Sequence, residues 1–237
     1  MLLSVAVAVL ALLGAFYDHL RPALVAAGLG RNIQPVGNDD CEIVPQLQAC
    51  ESPSALSLSC RAAHFSCAEL VLHQLTGLVY LACSTPRNRV HWTPALDRLN
   101  ASGRSDLDYV ATYDPITGAV TRLAFSGPLS LDGIGLHGMD VVPSLDDPSL
   151  LYVYLVNHRN PVSADPRKVG ADSVIEVFRT YAGSATLEHV RTFQDPAVIV
   201  TPNDVVGSPD GQSVYFTNDH KFKTGFVCSL DPPPRIV

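Results

Sequence analysis

The sequence predicts an all-β protein, and three observations support this class. Short runs rich in β-branched and aromatic residues follow one another from about residue 40 onward. Turn residues separate these runs, and no long segment after the N-terminus shows a helical period. The predicted strands cover residues 77–83, 109–113, 151–156, 173–178, 187–193 and 213–217.

Two of the breaks between these runs carry specific turn chemistry. Asp114–Gly118 and Ser208–Gly211 each combine a proline, which presets φ, with a glycine that can adopt a positive φ. We therefore predict tight turns at both places.

A repeat joins the runs into larger units. Aligning Asp140 with Asp204 superimposes residues 138–158 on residues 203–219, and a fainter copy covers residues 69–82. Each copy is a strand, a tight turn and a second strand that ends in polar residues, with room for two outer strands before the next copy. This pattern is typical of a β-propeller blade.

Three such units fit between residues 69 and 237, whereas a closed propeller needs about four or more. Near the end of the chain, the three prolines at 232–234 are not expected to continue a strand ladder. We therefore expect an unclosed ring.

The N-terminus carries a targeting signal. The first 16 residues contain no charged side chain and lack the basic start of a typical signal peptide. We interpret residues 1–20 as a hydrophobic helix that acts as an uncleaved signal anchor, with a cleaved signal peptide and a buried core helix as alternatives. Either targeting route leads to the secretory pathway, where the protein is secreted or anchored to the ER membrane on its lumenal side. Asn100 would then lie in a usable glycosylation sequon, Asn100–Ser102.

The composition excludes some functions. Hydrophobic residues make up 47% of the chain and charged residues 16%, which is too apolar for a disordered polymer. The net charge is −7 and no basic cluster occurs, so we expect no binding to nucleic acid. Six cysteines fit an oxidising compartment, and none has the C-x-x-C spacing of a zinc site.

Polar residues recur where the inner strands of the predicted blades end: His137, Asn157–His158, Asn203–Asp204 and Asn218–His220. Carboxylate and amide oxygens that converge in a channel are the ligands that Ca²⁺ requires. Histidines beside them could act as a general base on water. Taken singly, an Asn-Asp pair is more often a turn and a lone histidine more often a surface residue. Their recurrence at equivalent places is what indicates a site.

The motifs at these places resemble those of the paraoxonase/arylesterase family, in the same order and spacing. The resemblance also reaches the hydrophobic N-terminus and Asn32–Val36, followed by Cys41, and covers nearly the whole chain. The motifs that carry it most strongly are Leu136–Met139, Leu155–His158, Pro202–Val206 and Phe216–His220.

The resemblance implies a six-bladed β-propeller with two calcium ions in its channel. It also implies hydrolysis of aryl esters, lactones and some phosphotriesters. This chain would supply the N-terminal half of that propeller, about three blades over residues 21–237.

The resemblance also implies a role for each motif residue. Asn203 matches a ligand of the catalytic calcium, and Asp204 a ligand of the structural calcium. The backbone carbonyl of Met139 would serve the structural ion as well. His137 and His158 match a pair that activates water, while calcium polarises the carbonyl or phosphoryl oxygen. The remaining motif residues, Asp219 and His220, resemble a supporting pair beside the site.

This chain departs from the family pattern at the first blade. The family has two adjacent carboxylates there, one for each ion, and this sequence separates Glu51 from Glu69. Residues 52–68 look like an insertion with two extra cysteines. Our hypothesis is a retained intron or a gene-model error, and we assign both glutamates as metal ligands.

The second departure concerns the ligands that the family places in the second half of its propeller. An asparagine and an Asn-Asp pair of the catalytic site belong to that half, as does the implied disulfide partner of Cys41. With these ligands missing, we expect poor calcium affinity and weak or absent catalysis from this polypeptide alone.

Three functions compete. The first is a calcium-dependent esterase or lactonase that acts on a small ester or lactone and contacts the membrane through its N-terminal segment. The second is a gluconolactonase-like or strictosidine-synthase-like propeller with other channel residues. The third is a non-catalytic propeller fragment that serves as a binding module.

Overall fold

The computed structural model describes residues 43–50, 70–104, 108–129, 134–225 and 235–236, with scattered positions between 13 and 32. By its contacts the chain divides into two units, Met1–Cys41 with Ser57–Arg61, and Glu42–Leu56 with Ala62–Val237. The second unit holds every strand of the described residues. The predicted hydrophobic helix over residues 1–20 and the predicted insertion over residues 52–68 fall largely or wholly outside the described residues. In the part that is described, no helix is long and apolar enough to cross a membrane.

The first four-stranded sheet is an antiparallel meander. Its strands are β1 (Leu70–Leu72), β2 (Val79–Cys83), β5 (Tyr109–Tyr113) and β6 (Val120–Ser126). Between β2 and β5 lie helix α1 (Pro86–His91), the short strands β3 (Trp92–Thr93) and β4 (Arg98–Leu99), and 3₁₀ turns at Pro94–Leu96 and Ala101–Gly103. A disulfide joins Cys50 to Cys83 at the end of β2.

A second antiparallel meander follows. It consists of β7 (Leu136–Pro143), β8 (Leu150–Arg159), β9 (Asp172–Tyr181) and β10 (Thr186–Phe193), with helix α2 (Pro166–Val169) between β8 and β9. Parallel pairing of β6 with β10 joins the two meanders into one eight-stranded sheet. Because β7 at one end of this sheet packs against β1 and β2 at the other, the sheet nearly closes on itself.

The third sheet contains β11 (Pro202–Gly207), β12 (Val214–Asn218) and β13 (Arg235–Ile236). Strand β13 comes directly after the three prolines. The prolines themselves fall outside the described residues, so the expectation that they do not continue a ladder stays a prediction, while the backbone of Arg235–Ile236 pairs with β12.

The all-β class is confirmed, and each of the six predicted runs contains a strand. Both predicted turns are present, with Gly118 at φ 71° and Gly211 at φ 73°. In the first turn, the Asp114 carboxylate accepts a hydrogen bond from the backbone N of Ile116 at 2.8 Å. The structure adds β6, the two-residue strands β3, β4 and β13, and two short helices, none of which shows a clear period in sequence.

The second meander is buried on both faces. On β8, Leu151, Val153 and Leu155 pack into a cluster shared with the first meander. The alternate residues Tyr154 and Val156 pack into a cluster shared with β11 and β12. Side chains alternate across a strand, so burial on both faces explains the unbroken apolar run at residues 151–156.

Candidate functional site

Four of the sequence-predicted residues line one cleft of about 300 Å³: His137, Asn203, Asp219 and His220. They come from β7 and from the ends of β11 and β12, and β7 lies far from the other two strands along the chain. Arg89 of α1 and Arg98 of β4 line the same cleft. The structure therefore gathers residues from three separate motifs and adds two cations that the motifs did not contain.

His137 lies at an irregularity near the start of β7. The register of β7 with β8 shifts between Leu136 and Met139. The next residue, Gly138, allows close approach of β11, because a Cβ at this position would lie 2.2 Å from the backbone oxygen of Asn203. The His137 side chain is buried, and its Nδ1 lies 3.3 Å from Nη1 of Arg89. A guanidinium can only donate, so Nδ1 of His137 is the acceptor in this contact.

His158 packs against His137 but lies behind the cleft rather than in its wall. The two ring centroids are 5.4 Å apart and the rings are tilted by 56°. Nδ1 of His158 lies 2.9 Å from Oγ of Ser173, and within the described residues Nε2 has no hydrogen-bond partner. Burial, followed by the nearby charges of His137 and Arg89, holds the pKa of His158 well below its usual value. The imidazole is therefore neutral at physiological pH.

Asn203 and Asp219 form a hydrogen-bonded pair. Nδ2 of Asn203 donates to Oδ2 of Asp219 at 2.7 Å, which leaves the amide oxygen of Asn203 as an acceptor. His220 is held by both backbone and ring. Its backbone N donates to Oγ1 of Thr201, and its Nε2 lies 2.9 Å from the carbonyl oxygen of Ala95.

Asp204 and Met139 lie on neighbouring strands outside the cleft lining. Backbone N of Val205 donates to Oδ1 of Asp204 at 2.8 Å. The equivalent aspartate of the repeat, Asp140, accepts from Val141 N in the same way and from Gly207 N across the strands. Burial, and to a smaller extent the charge of Asp204, raises the pKa of Asp140. These two carboxylates are therefore close enough to repel each other, beside the buried Met139.

Glu51 and Glu69 fall outside the described residues. Asn100 is half-buried at the surface, where Oγ of Ser102 donates to its Oδ1 at 2.9 Å and its Nδ2 lies 3.1 Å from Nδ1 of His91. Its glycosylation stays a prediction.

Sequence reasoning missed a buried polar cluster behind His137. Asp108 accepts hydrogen bonds from Ser84 Oγ at 2.6 Å and from Asn88 Nδ2 at 2.9 Å. Burial raises the pKa of Asp108, although these bonds and the charge of Arg89 act in the opposite direction. Within this region, only helix α1 has local sequence features from which it could have been predicted. Thr85 caps it by accepting from Asn88 N, and Pro86 occupies its first turn.

Calcium needs six to eight oxygen ligands, roughly. The amide oxygen of Asn203 and the carboxylate of Asp219 fit part of such a set, whereas the neighbouring guanidinium groups of Arg89 and Arg98 oppose a cation. Across the described ranges, no group of three or more His, Cys, Asp or Glu side chains is placed to hold a metal ion. The calcium site therefore stays a prediction, and two of its assigned ligands, Glu51 and Glu69, lie outside the structure.

No protein-family model matches this chain, and a search of curated proteins finds no match either.

Proposed function

We propose that this chain forms blades of a β-propeller hydrolase that cleaves aryl esters and lactones with the help of calcium, as the paraoxonase/arylesterase family does. The observation that supports this most directly is the shared cleft. His137, Asn203, Asp219 and His220 come from separate motifs and line it together, and the ring of His158 packs against His137. The two antiparallel meanders and the third sheet would be successive blades.

Of the predicted pair His137 and His158, only His137 lines the cleft, and we therefore assign it as the base. An attacking water must lose a proton as it adds to the carbonyl carbon, and a histidine beside it can accept that proton. Since Nδ1 of His137 faces Arg89, the neutral ring carries its proton on Nε2. Proton uptake at Nδ1 therefore requires that Arg89 withdraw when a substrate binds.

His158 supports His137 from behind. Because burial keeps it neutral, it adds no positive charge beside the ring that must accept a proton. Ser173 orients its Nδ1, and the packed ring restricts the rotation of His137. This arrangement favours a single geometry for the base.

Asn203 would hold a catalytic calcium ion and Asp204 a structural one, together with Glu51, Glu69 and the carbonyl of Met139. A bound calcium would polarise the carbonyl oxygen of the ester and stabilise the negative charge that develops on it. The pair of Asn203 and Asp219 would orient the amide oxygen toward that ion.

We also propose that the protein acts in the secretory pathway, secreted or anchored on the lumenal side of the ER membrane. The disulfide between Cys50 and Cys83 supports an oxidising compartment. The hydrophobic N-terminus and the Asn100 sequon agree with the same location.

The test is calcium-dependent hydrolysis of phenyl acetate and a δ-lactone. We expect weak activity from this chain, which EGTA abolishes, and a loss of about 10²-fold or more in kcat for His137→Gln, since a general base typically contributes that much. His91→Gln is the matched control, because His91 lies at another cleft and contacts Asn100. Calcium-independent rates, or equal rates for wild type and His137→Gln, would contradict the proposal.

A second candidate is a non-catalytic binding module. Arg89 and Arg98 give the cleft two cations against the single carboxylate of Asp219, which favours a small anionic ligand. In the same experiment, calorimetric binding of benzoate without any turnover of either ester would favour this function over the hydrolase.

A further inference from the structure

The backbone immediately before His137 is held by two side chains. Leu136 N donates to Oδ2 of Asp108 at 2.9 Å. Gly135 N donates to Oδ1 of Asn157 at 3.0 Å. The register of β7 with β8 shifts just after this point, between Leu136 and Met139, so the two side-chain acceptors satisfy backbone N–H groups beside the irregularity.

Asp108 connects this backbone to helix α1. While Oδ2 accepts from Leu136 N, Oδ1 accepts from Nδ2 of Asn88 and from Oγ of Ser84. Asn88 directly precedes Arg89, whose Nη1 contacts His137. One buried carboxylate is thus bonded both to the strand that carries His137 and to the helix that carries its Arg89 neighbour.

The position of Asp108 is closely determined. Its side chain is almost fully buried, and its two oxygens accept hydrogen bonds from three donors. A buried carboxylate is stable only when hydrogen-bond donors satisfy its charge. The same charge holds each of these donors in place. The bonds reach from the end of β2 to the start of β7, segments that are separated by about 50 residues along the chain.

We propose that Asp108 is a positioning residue, which sets the place of the His137 ring in the cleft by clamping helix α1 to strand β7. Its effect on rate rests on the proposed hydrolase function, but its effect on the ring does not. A displacement of a catalytic group by about 1 Å can lower a rate by about 10²-fold. A residue that fixes the position of the His137 ring can therefore affect the rate as much as a residue that contacts the substrate.

Asp108→Asn tests the clamp, and Ser84→Ala is its matched control. The amide keeps the shape of the carboxylate but replaces one acceptor with a donor, so either Leu136 N or the Ser84 and Asn88 donors lose their partner. Ser84→Ala removes the bond to Oδ1 and the bond that Ser84 Oγ accepts from Asn88, and it leaves the Asn88–Asp108 and Leu136–Asp108 bonds intact. Both variants remove hydrogen bonds from the same buried cluster, and they differ in whether the link between α1 and the strand bearing His137 is broken.

Three measurements distinguish positioning from plain stability: kcat and KM, the ¹H and ¹⁵N signals of the His137 ring, and the urea midpoint. For Asp108→Asn we expect kcat to fall about 10- to 100-fold with KM nearly unchanged, and the His137 signals to shift. For Ser84→Ala we expect a lower urea midpoint with kcat and the His137 signals retained. Equal effects of both variants on kcat, or unchanged His137 signals in Asp108→Asn, would overturn the proposal.

The test still gives an answer if the wild type is inactive or if Asp108→Asn does not fold. If the wild-type protein hydrolyses no ester, the proposed function fails, while the His137 signals still decide whether Asp108 positions the ring. If Asp108→Asn does not fold, Asn88→Ala replaces it, because it releases α1 from Asp108 and leaves the Leu136 bond in place. We expect shifted His137 signals in that variant, and unchanged signals would overturn the clamp.

Discussion

His158 illustrates how burial of one side chain decides its protonation. The ring is fully enclosed, bonded to Ser173, and close to the charges of Arg89 and Arg104. Placing a positive charge there would cost both hydration and Coulomb energy, so the pKa in the folded protein is lowered. The unfolded chain has the ordinary pKa of about 6.5. The folded state therefore resists a proton that the unfolded state accepts.

This difference predicts a pH dependence of stability. Above about pH 6.5 His158 is neutral in both the folded and the unfolded state, so its titration does not lower the free energy of unfolding. As the pH falls from there toward the lowered pKa of the folded state, the unfolded state gains a proton. The free energy of unfolding should then drop by up to about 1.4 kcal/mol per pH unit on account of this residue.

Urea denaturation of wild type and His158→Gln at pH 7.5 and pH 5 measures this effect. The variant should lose less stability between the two pH values than wild type does, because glutamine does not titrate. His91→Gln is the control. Its free energy of unfolding should depend on pH as that of the wild type does, because His158 is retained. An identical pH dependence in wild type and His158→Gln would show that His158 protonates normally in the fold.

Strands β7 and β11 approach each other most closely at the glycine Gly138. A Cβ at Gly138 would lie 2.2 Å from the oxygen of Asn203 and 2.8 Å from Cα of Asp204, both of which are backbone atoms. Backbone cannot move aside as a flexible side chain can. The glycine of the Leu136–Met139 motif thus permits the strand contact that brings His137 near Asn203.

Gly138→Ala should therefore separate the two strands and lower the free energy of unfolding by about 1–3 kcal/mol, the usual cost of overpacking. The comparison is Gly118→Ala, where a Cβ would meet open space and only the positive φ of 71° opposes the change. We expect about 1 kcal/mol for that variant, the lower end of the cost of the left-handed region for a residue with a Cβ. Urea midpoints measure both, and a cost at Gly138 no larger than that at Gly118 would refute the close contact.

The second meander connects the first meander to the third sheet. Val153 belongs to the cluster shared with the first meander, and Val156 to the cluster shared with the third sheet. Both are fully buried on the same strand, β8. Because one sheet supplies a wall of both clusters, loss of either cluster should destabilise the other.

We therefore predict one cooperative unfolding transition, which Val153→Ala and Val156→Ala both shift. Each variant should lower the free energy of unfolding by about 1.5–3 kcal/mol, through lost burial and the cavity that remains. Val206→Ala is the control, because this valine is 59% exposed and should change stability by less than about 0.5 kcal/mol. Circular dichroism and calorimetry follow the transition, and separate transitions for the two buried variants would contradict the shared core.

Much of the local structure could be predicted from sequence. Composition rich in β-branched and aromatic residues located the strands at 109–113 and 173–178, and proline with glycine located the turns at 114–118 and 208–211. The repeat placed polar residues at equivalent strand ends, which is why His137, Asn203 and Asp219 could be expected together. Strand β6 and helix α1 were not predicted, because their residues show neither a clear alternation nor a helical period.

What the sequence by itself determined is therefore the β class, the turn positions and the set of polar strand ends, since each depends on residues that are neighbours along the chain. Only the tertiary structure decided that Arg89 contacts His137, that Asp108 holds Leu136, and that His158 lies behind the cleft. These contacts join residues that are 21 to 48 positions apart, so no local pattern records them. Their geometry is set by how the meanders pack, because a hydrogen bond or a buried charge depends on the atoms that surround it in space.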